Sequence, residues 1–276
     1  MTTIKTQKQF QNKYRITQLL GEGGYGSVYL CIEISTRVLR AVKILSNVKD
    51  SSTSLCPRRY QAVPNEVLIL ESLSHPNIVR LIDVYRDETT NSWYLVQEYH
   101  PGFQDLFSFI NNTGPMTTRD SSCVVKQLVN VLNYLLHEQK IDHRDIKDEN
   151  ILYNPKTKQI KLIDFGSAGR LSTAPYTSFR GTDVYIPPEY YQHRKYSALP
   201  ATVWAVGCLS FVLLNGDCPF HSRDEVKNFQ KLSDLKGSKS LMLRSKRVDF
   251  ITQCMSVNSE KRALFSDLLC HPWLKI

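Results

Sequence analysis

No Cys-x-x-Cys pair occurs among the seven cysteines, which stand at 31, 56, 123, 208, 218, 254 and 270. An odd and scattered set speaks against both a zinc site and a disulfide framework. Cys208 and Cys254 sit among apolar residues and read as core thiols, so a reducing compartment is expected, cytoplasmic and extending to the nucleus. No N-terminal apolar core with a cleavage site appears, and a secretory signal is not expected. The longest apolar run, Ala201 to Leu214, is fourteen residues, short of the roughly 20 that cross a bilayer. A buried helix is expected there, and no membrane partner. Repeats and low-complexity stretches are missing as well. Acidic residues are the minority: 35 Lys and Arg face 26 Asp and Glu, a net charge of +9. The excess gathers between Arg223 and Arg247, at Lys227, Lys231, Lys236, Lys239, Arg244 and Lys246. A solvated helical face and loop explains it, with an acidic partner surface as the alternative. Nucleic acid is disfavoured, because no nucleic-acid-binding motif accompanies the charge.

The 276 residues suffice for one large domain or for two lobes around a cleft. Three β-branched or aromatic segments, Tyr14–Leu20, Ser27–Ile34 and Val38–Leu45, read as strands separated by turn material. Lys49 to Arg59 is serine-rich and reads as a loop. Val63–Leu73 carries apolar residues at helical spacing. Ile78–Tyr85 and Trp93–Tyr99 read as two more strands, with Arg86–Ser92 as their turn. After Pro101-Gly102 the pattern is mostly helical. Thr117-x-x-Asp120 resembles a capping box, in which the hydroxyl takes an orphan backbone N–H. The expected fold class is α+β: a small antiparallel sheet lobe with one main helix over about 14–98, a hinge over about 99–103, and a larger, mainly helical lobe over about 104–276. Residues 1–13 read as a short N-terminal extension.

Gly21-Glu-Gly23-Gly24-Tyr-Gly26-Ser-Val28 is a G-x-G-x-x-G-x-V run. Alone it is a weak signal, equally open to a hairpin turn or a dinucleotide loop. A dinucleotide loop passes from strand into helix, whereas here a strand follows, so the loop can fold over phosphates. Lys43 lies on the next strand. Glu66, on the helix after the serine-rich loop, is the carboxylate expected to hold its ammonium against nucleotide phosphates. Glu71 is the competitor, on another face of that helix. His143-Arg144-Asp145-Ile-Lys147-Asp-Glu-Asn150 is far more specific. It supplies a carboxylate to orient a hydroxyl, a cation to offset phosphate charge and an oxygen ligand for Mg²⁺, packed in one short loop. Asp164-Phe165-Gly166 follows an apolar strand, with Asp164 as second Mg²⁺ ligand, and Pro187-Pro188-Glu189 closes the following segment. Each part occurs once, in this order.

Through these motifs the chain resembles the eukaryotic protein kinases over about residues 14–274, and within them the Pim family of serine/threonine kinases. Val63-Pro64-Asn65-Glu66-Val67, Gln104-Asp105-Leu106-Phe107, the run from His143 to Leu152, and Leu162 to Ser167 carry the likeness. The resemblance implies the two-lobed kinase fold and ATP-dependent transfer of the γ-phosphoryl group to serine or threonine hydroxyls of protein substrates by a monomer. It implies ATP and Mg²⁺ as cofactors. Asp145 would orient the acceptor, Lys147 would offset γ-phosphate charge, and Asn150 and Asp164 would hold the metal. Leu20, Gly21, Gly23, Gly24, Gly26, Val28, Ala41, Lys43, Gln97, Glu98, His100 and Leu152 would surround the nucleotide. Asp105 and Glu149 match acidic positions that favour basic peptides. Four departures stand out. His100 replaces a hinge proline and restores a backbone donor, Gln97 is a polar gatekeeper, Ser108 replaces one expected acid of the peptide-binding surface, and Ser178 replaces the aspartate that meets Arg144. Phosphorylation at Ser178, or at Thr177, is therefore expected to raise activity. The rival reading is a pseudokinase or nucleotide-binding scaffold acting by protein binding. Its sign would be a missing catalytic group, and none is missing.

Overall fold

Alternation along the first strands sorts side chains onto two faces of one sheet, and each face carries its own apolar cluster. The computed structural model describes residues 3–23, 26–46, 63–235 and 245–275. Gly24, the serine-rich stretch 49–59 and Lys236, Lys239 and Arg244 of the basic cluster lie outside them. The chain divides into two units, residues 1–101 with 164–166, and residues 102–163 with 167–276.

In the first unit the elements run β1 (Lys5–Thr6), α1 (Gln7–Lys13), β2 (Tyr14–Gly23), β3 (Gly26–Glu33), β4 (Leu39–Leu45), α2 (Asn65–Ser72), β5 (Leu81–Asp87) and β6 (Ser92–Glu98). They make one sheet in the order β1-β5-β6-β4-β3-β2, antiparallel except where β1 meets β5. Successive residues of β6 serve opposite faces. Val96 joins Phe10, Tyr14, Cys31, Val42 and Tyr85, whereas Leu95 joins Leu45, Val67, Val84 and Trp93. Helix α2 supplies Val67 to the second cluster, which fixes its position beside the strand that carries Lys43.

The stretch ahead of Tyr14 is more than a tail. Thr6 caps α1, and its partner Gln9 completes a capping box, while Phe10 is buried against Tyr85 and Tyr94. Asp83, 5% exposed within β5, gathers this region. It accepts from Tyr14 Oη at 2.7 Å, from Lys13 Nζ at 2.8 Å and from Lys5 Nζ. The turn after β5 begins later than the sequence pattern suggests. Asp87 stays in the strand and its carboxylate takes the Thr89 N–H at 2.9 Å, so the reversal falls on 88–91 with Asn91 at a φ of 48°.

The second unit holds β7 (Gln104–Asp105), α3 (Leu106–Thr113), α4 (Thr118–Asn133), β8 (Ile141–Asp142), β9 (Ile151–Tyr153), β10 (Ile160–Leu162), β11 (Gly169–Arg170), α5 (Pro188–His193), α6 (Ala198–Asn215), α7 (Arg223–Asn228), α8 (Lys246–Cys254) and α9 (Phe265–Cys270). Thr117 caps α4 as expected, accepting the Asp120 N–H at 3.1 Å. Helix α6 is apolar all round, the signature of a core helix. It is long and apolar enough to cross a membrane, yet 72% of it is buried within the protein. The run 201–214 thus lies inside the expected buried helix. Cys208 and Cys254 are buried thiols. Glu189, at the start of α5, takes two bonds from Arg262 at 2.7 and 2.5 Å, both partners buried. That fork ties the segment before α5 to the far end of the unit.

Candidate active site

Strand register gathers the expected residues of the first unit. Val28 lies opposite Lys43, Lys43 opposite Leu95, and Ala41 opposite Gln97, so these side chains share the face that α2 covers. Lys43 is 5% exposed. Its Nζ donates to Glu66 Oε1 and Oε2 at 2.9 and 2.8 Å and to Asp164 Oδ1 at 2.7 Å. Glu66, in the first turn of α2, is the partner, as the sequence suggests. Two carboxylates share this one ammonium. Burial pulls the lysine pKa down, but Glu66 and Asp164 outweigh it and hold it above the ordinary value. Burial and the Asp164 charge push the Glu66 carboxyl up, against the pull of Lys43.

The glycines of the first hairpin divide by cause. A Cβ on Gly26 would stand 2.3 Å from Ile44 O, and its φ is +126°, so the fold itself requires glycine there. Among the described residues, Gly21 and Gly23 have nothing within 4 Å of where a Cβ would be, and neither has a positive φ. Packing among the described residues does not demand them, whereas a ligand brought close to the backbone would. Leu20 beside them is 42% exposed. At the other end of the unit His100 Nε2 sits 3.0 Å from Glu98 Oε1, and the Glu98 N–H bonds to Arg80 O.

A separate group of expected residues lies in the other unit. Asp145 is 7% exposed and is held from two sides. Asn150 Nδ2 donates to its carbonyl at 2.8 Å and its Oδ2 at 3.0 Å, while Thr182 Oγ1 donates to its Oδ1 at 3.1 Å. Lys147 Nζ is 3.8 Å from Asp145 Oδ2 and 2.6 Å from Glu149 Oε2. Gly181, at a φ of +121°, lets the next segment pass close by: a Cβ there would be 2.6 Å from Arg144 O. The Ile163 N–H bonds to Asn150 O at 3.0 Å, so the residue immediately before Asp164 is fixed to the 143–150 loop. Arg144 and Asp164 both occupy the left-handed region, at φ 66° and 58°. Strained backbone of this kind gathers at functional sites.

The remaining expected residues divide. Leu152 sits on β9 opposite Asp105. Asp105 caps α3 by accepting the Ser108 N–H at 2.7 Å, and Glu149 is paired with Lys147 but half exposed. Ser178 and Thr177 are exposed, and the groups that meet Arg144 are others. Its guanidinium stacks on the Tyr176 ring, 4.5 Å from the centroid. Its Nε lies 3.7 Å from Asp142 Oδ2. A search for aspartate or phosphate acceptors passes over a tyrosine, which carries no formal charge, and over a carboxylate two residues upstream.

The chain matches the family model described as protein kinase domain over residues 14–274. It is 36% identical to the serine/threonine-protein kinase pim-2 of Danio rerio over 276 residues, covering 97% of this chain and 86% of that protein. It is 31% identical over 270 residues to the serine/threonine-protein kinase prk-2 of Caenorhabditis elegans, across 97% of this chain and 59% of that one. The serine/threonine-protein kinase DCLK2 of Rattus norvegicus is 35% identical over 271 residues, across 95% of this chain. The chain spans 34% of that relative's length. The chain belongs to the protein kinase family. By that family and by these serine/threonine kinase relatives, it is a serine/threonine protein kinase.

Proposed function

We propose that Lys43, Glu66, Asp145, Lys147, Asn150 and Asp164 together carry transfer of the γ-phosphoryl group from ATP to a serine or threonine hydroxyl of a protein substrate. The observation that carries this reading is the buried Lys43 ammonium between Glu66 and Asp164. Two carboxylates against one cation leave an excess negative charge, which suits a site that also takes a divalent metal. The donor set suits Mg²⁺ in particular. Asp164 offers a carboxylate and Asn150 an amide oxygen, both hard donors, and among the described residues no cluster of three or more His, Cys, Asp or Glu forms a dedicated metal cage. Mg²⁺ is held in just this way, by one or two protein oxygens plus substrate phosphates and water. When bound, Mg²⁺ would neutralise charge on the transferring phosphates.

The chain's own residues do the rest. Lys43, oriented by Glu66, would bind the α- and β-phosphates. Gly21 and Gly23 would let backbone N–H groups approach them. Asp145, held by Asn150 and Thr182, would accept the hydrogen bond of the attacking hydroxyl and set its line of approach. Lys147 would offset charge on the γ-phosphoryl oxygens as the bond to ADP lengthens. Catalysis of this kind is positioning and charge stabilisation, with little covalent chemistry asked of the protein.

Two finer parts belong to the same proposal. Preference for basic peptides would come from Asp105 and Glu149. Phosphate on Ser178, or on Thr177, would raise activity, since both hydroxyls are exposed and Arg180 follows closely. A cytoplasmic and nuclear setting fits the buried free thiols Cys208 and Cys254. Transfer of labelled phosphate from ATP to a mixed peptide library tests activity and preference together. Label on serine and threonine of arginine-containing peptides is expected; label on tyrosine alone, or none, contradicts the proposal.

A further inference from the structure

Residue 142 stands directly before His143-Arg144-Asp145, in an otherwise apolar short strand, and it is an aspartate. In β8 it pairs with Gly169 of β11, and it is 3% exposed. Its Oδ1 accepts the Arg144 backbone N–H at 3.3 Å, and its Oδ2 lies 3.7 Å from Arg144 Nε. The carboxylate therefore meets both the backbone and the side chain of a residue kept in the left-handed region.

The surroundings close around the same arginine. A Cβ on Gly169 would be 2.8 Å from Arg144 Nη2, so glycine makes room for the guanidinium. Arg144 Nη2 donates to Tyr176 Oη and to Arg170 O, each at 3.2 Å. Tyr176 is fixed in turn by two backbone bonds with Tyr196, at 2.8 and 3.0 Å. From α6 only Ala198, Ala201, Thr202 and Ala205 line the small cavity beside Asp142, and Thr202 Oγ1 is turned back to Ala198 O at 2.9 Å. Helix α6 thus offers the catalytic loop no anion.

We propose that Asp142 is a positioning residue for the transfer reaction: it is the resident counter-anion of Arg144 and holds the catalytic loop in place without a phosphate on the activation segment. The proposal rests on the reading of 143–150 as the catalytic loop. Asp142 touches no substrate, and it acts through Arg144 on the neighbouring Asp145. Phosphate on Ser178 would then add to a basal activity that this internal pair already supports.

A pH signature follows. The ionisable groups around Asp142 are Arg144, Asp145 and His143 of its own loop, Tyr176 of the activation segment and Tyr196 ahead of α6; α6 contributes none to the cavity lining. Burial lifts the Asp142 carboxyl to about 6, against the opposing pull of Arg144 and Tyr176. It therefore titrates close to neutrality. Below that range the carboxyl is neutral and Arg144 loses its counter-charge.

The test compares kcat of phosphatase-treated wild type, Asp142→Asn and Tyr176→Phe between pH 5.5 and 8, at saturating ATP and peptide. Taking the ratio of wild type to Asp142→Asn cancels titration of the substrates. The ratio is expected to be about tenfold at pH 8, the scale of one lost charge-assisted contact, and to shrink toward one at pH 5.5. The melting temperature of Asp142→Asn at pH 7.5 should not fall below that of wild type. Tyr176→Phe removes a hydroxyl that favours the charged carboxylate, so its acid limb should move to higher pH. That variant decides the matter alone if Asp142→Asn does not fold. A ratio of one throughout, a pH-independent ratio with a lowered melting temperature, or an unmoved acid limb in Tyr176→Phe each overturns the proposal. Absence of transfer by wild type at every pH would instead overturn the reading on which it rests.

Discussion

Thr182 Oγ1 donates to Asp145 Oδ1 at 3.1 Å while Asn150 Nδ2 donates to the other carboxylate oxygen at 3.0 Å. The carboxylate is thereby fixed in direction before any substrate arrives, which is what a group that aims a hydroxyl requires. Thr182→Val keeps the shape and removes the bond. A hydrogen bond to a charged group contributes about 1.5–3 kcal/mol, so kcat should fall by roughly 10- to 100-fold with the KM for ATP unchanged. Steady-state kinetics on one peptide checks this.

Lys43→Met should abolish nucleotide-dependent activity. The substitution removes the cation that Glu66 and Asp164 share and leaves their charges unopposed. Removing one partner of a buried pair costs about 3–5 kcal/mol. The expected outcome is loss of measurable transfer together with a lower melting temperature, restored in part by adding Glu66→Gln. Calorimetry of the single and double variants provides the comparison.

Asp83 makes stability depend on acidity. Burial alone would raise its pKa, but bonds from Lys13, Lys5 and Tyr14 bring it to about 2 from an ordinary 3.8. A depressed carboxylate contributes stability that is present above the unfolded-state pKa and lost as pH falls toward the folded one. The window is therefore between about 4 and 2, with a size of about 2 kcal/mol. Asp83→Asn should lower the unfolding free energy at pH 7 by that order, and the difference from wild type should vanish near pH 2. Urea titrations across pH provide the measurement.

Gly181→Ala places a methyl group 2.6 Å from Arg144 O at a φ of +121°. Neither the backbone nor the contact can relax without moving Thr182 away from Asp145. The expected result is at least a tenfold loss in kcat, similar to Thr182→Val. Combining the two substitutions should cost little more than either, since both act on one contact. A double-mutant cycle on kcat tests this.

Much of the candidate set was legible in the sequence because its residues are adjacent to one another or to glycine. His143 to Asn150 is a single loop, and the Lys43–Glu66 pair needed only the choice between Glu66 and Glu71, which helix geometry makes. Relations between side chains distant in sequence were harder. Lys5, Lys13 and Asp83 are far apart, and only the pairing of β1 with β5 makes one network of them. Nothing periodic marks residues 5–13 as bound to the sheet. Asp142 reads as an ordinary charge in a short apolar run until the β8–β11 pairing buries it. The expectation for Arg144 looked for an anion on the activation segment and named Ser178. The structure also brings Tyr176 and Asp142 to the guanidinium, a phenol ring and a carboxylate on the preceding strand that no motif marks as partners of a cation.

The most direct test of the central claim is phosphoryl transfer from γ-labelled ATP with Mg²⁺ to a serine/threonine peptide library, run on wild type and on Asp145→Asn side by side. Label is expected on serine and threonine for wild type, reduced by about 10²–10⁴-fold in the variant, with ATP binding equal in both. Equal incorporation by the two proteins, or none by a wild type that binds ATP normally, would contradict it.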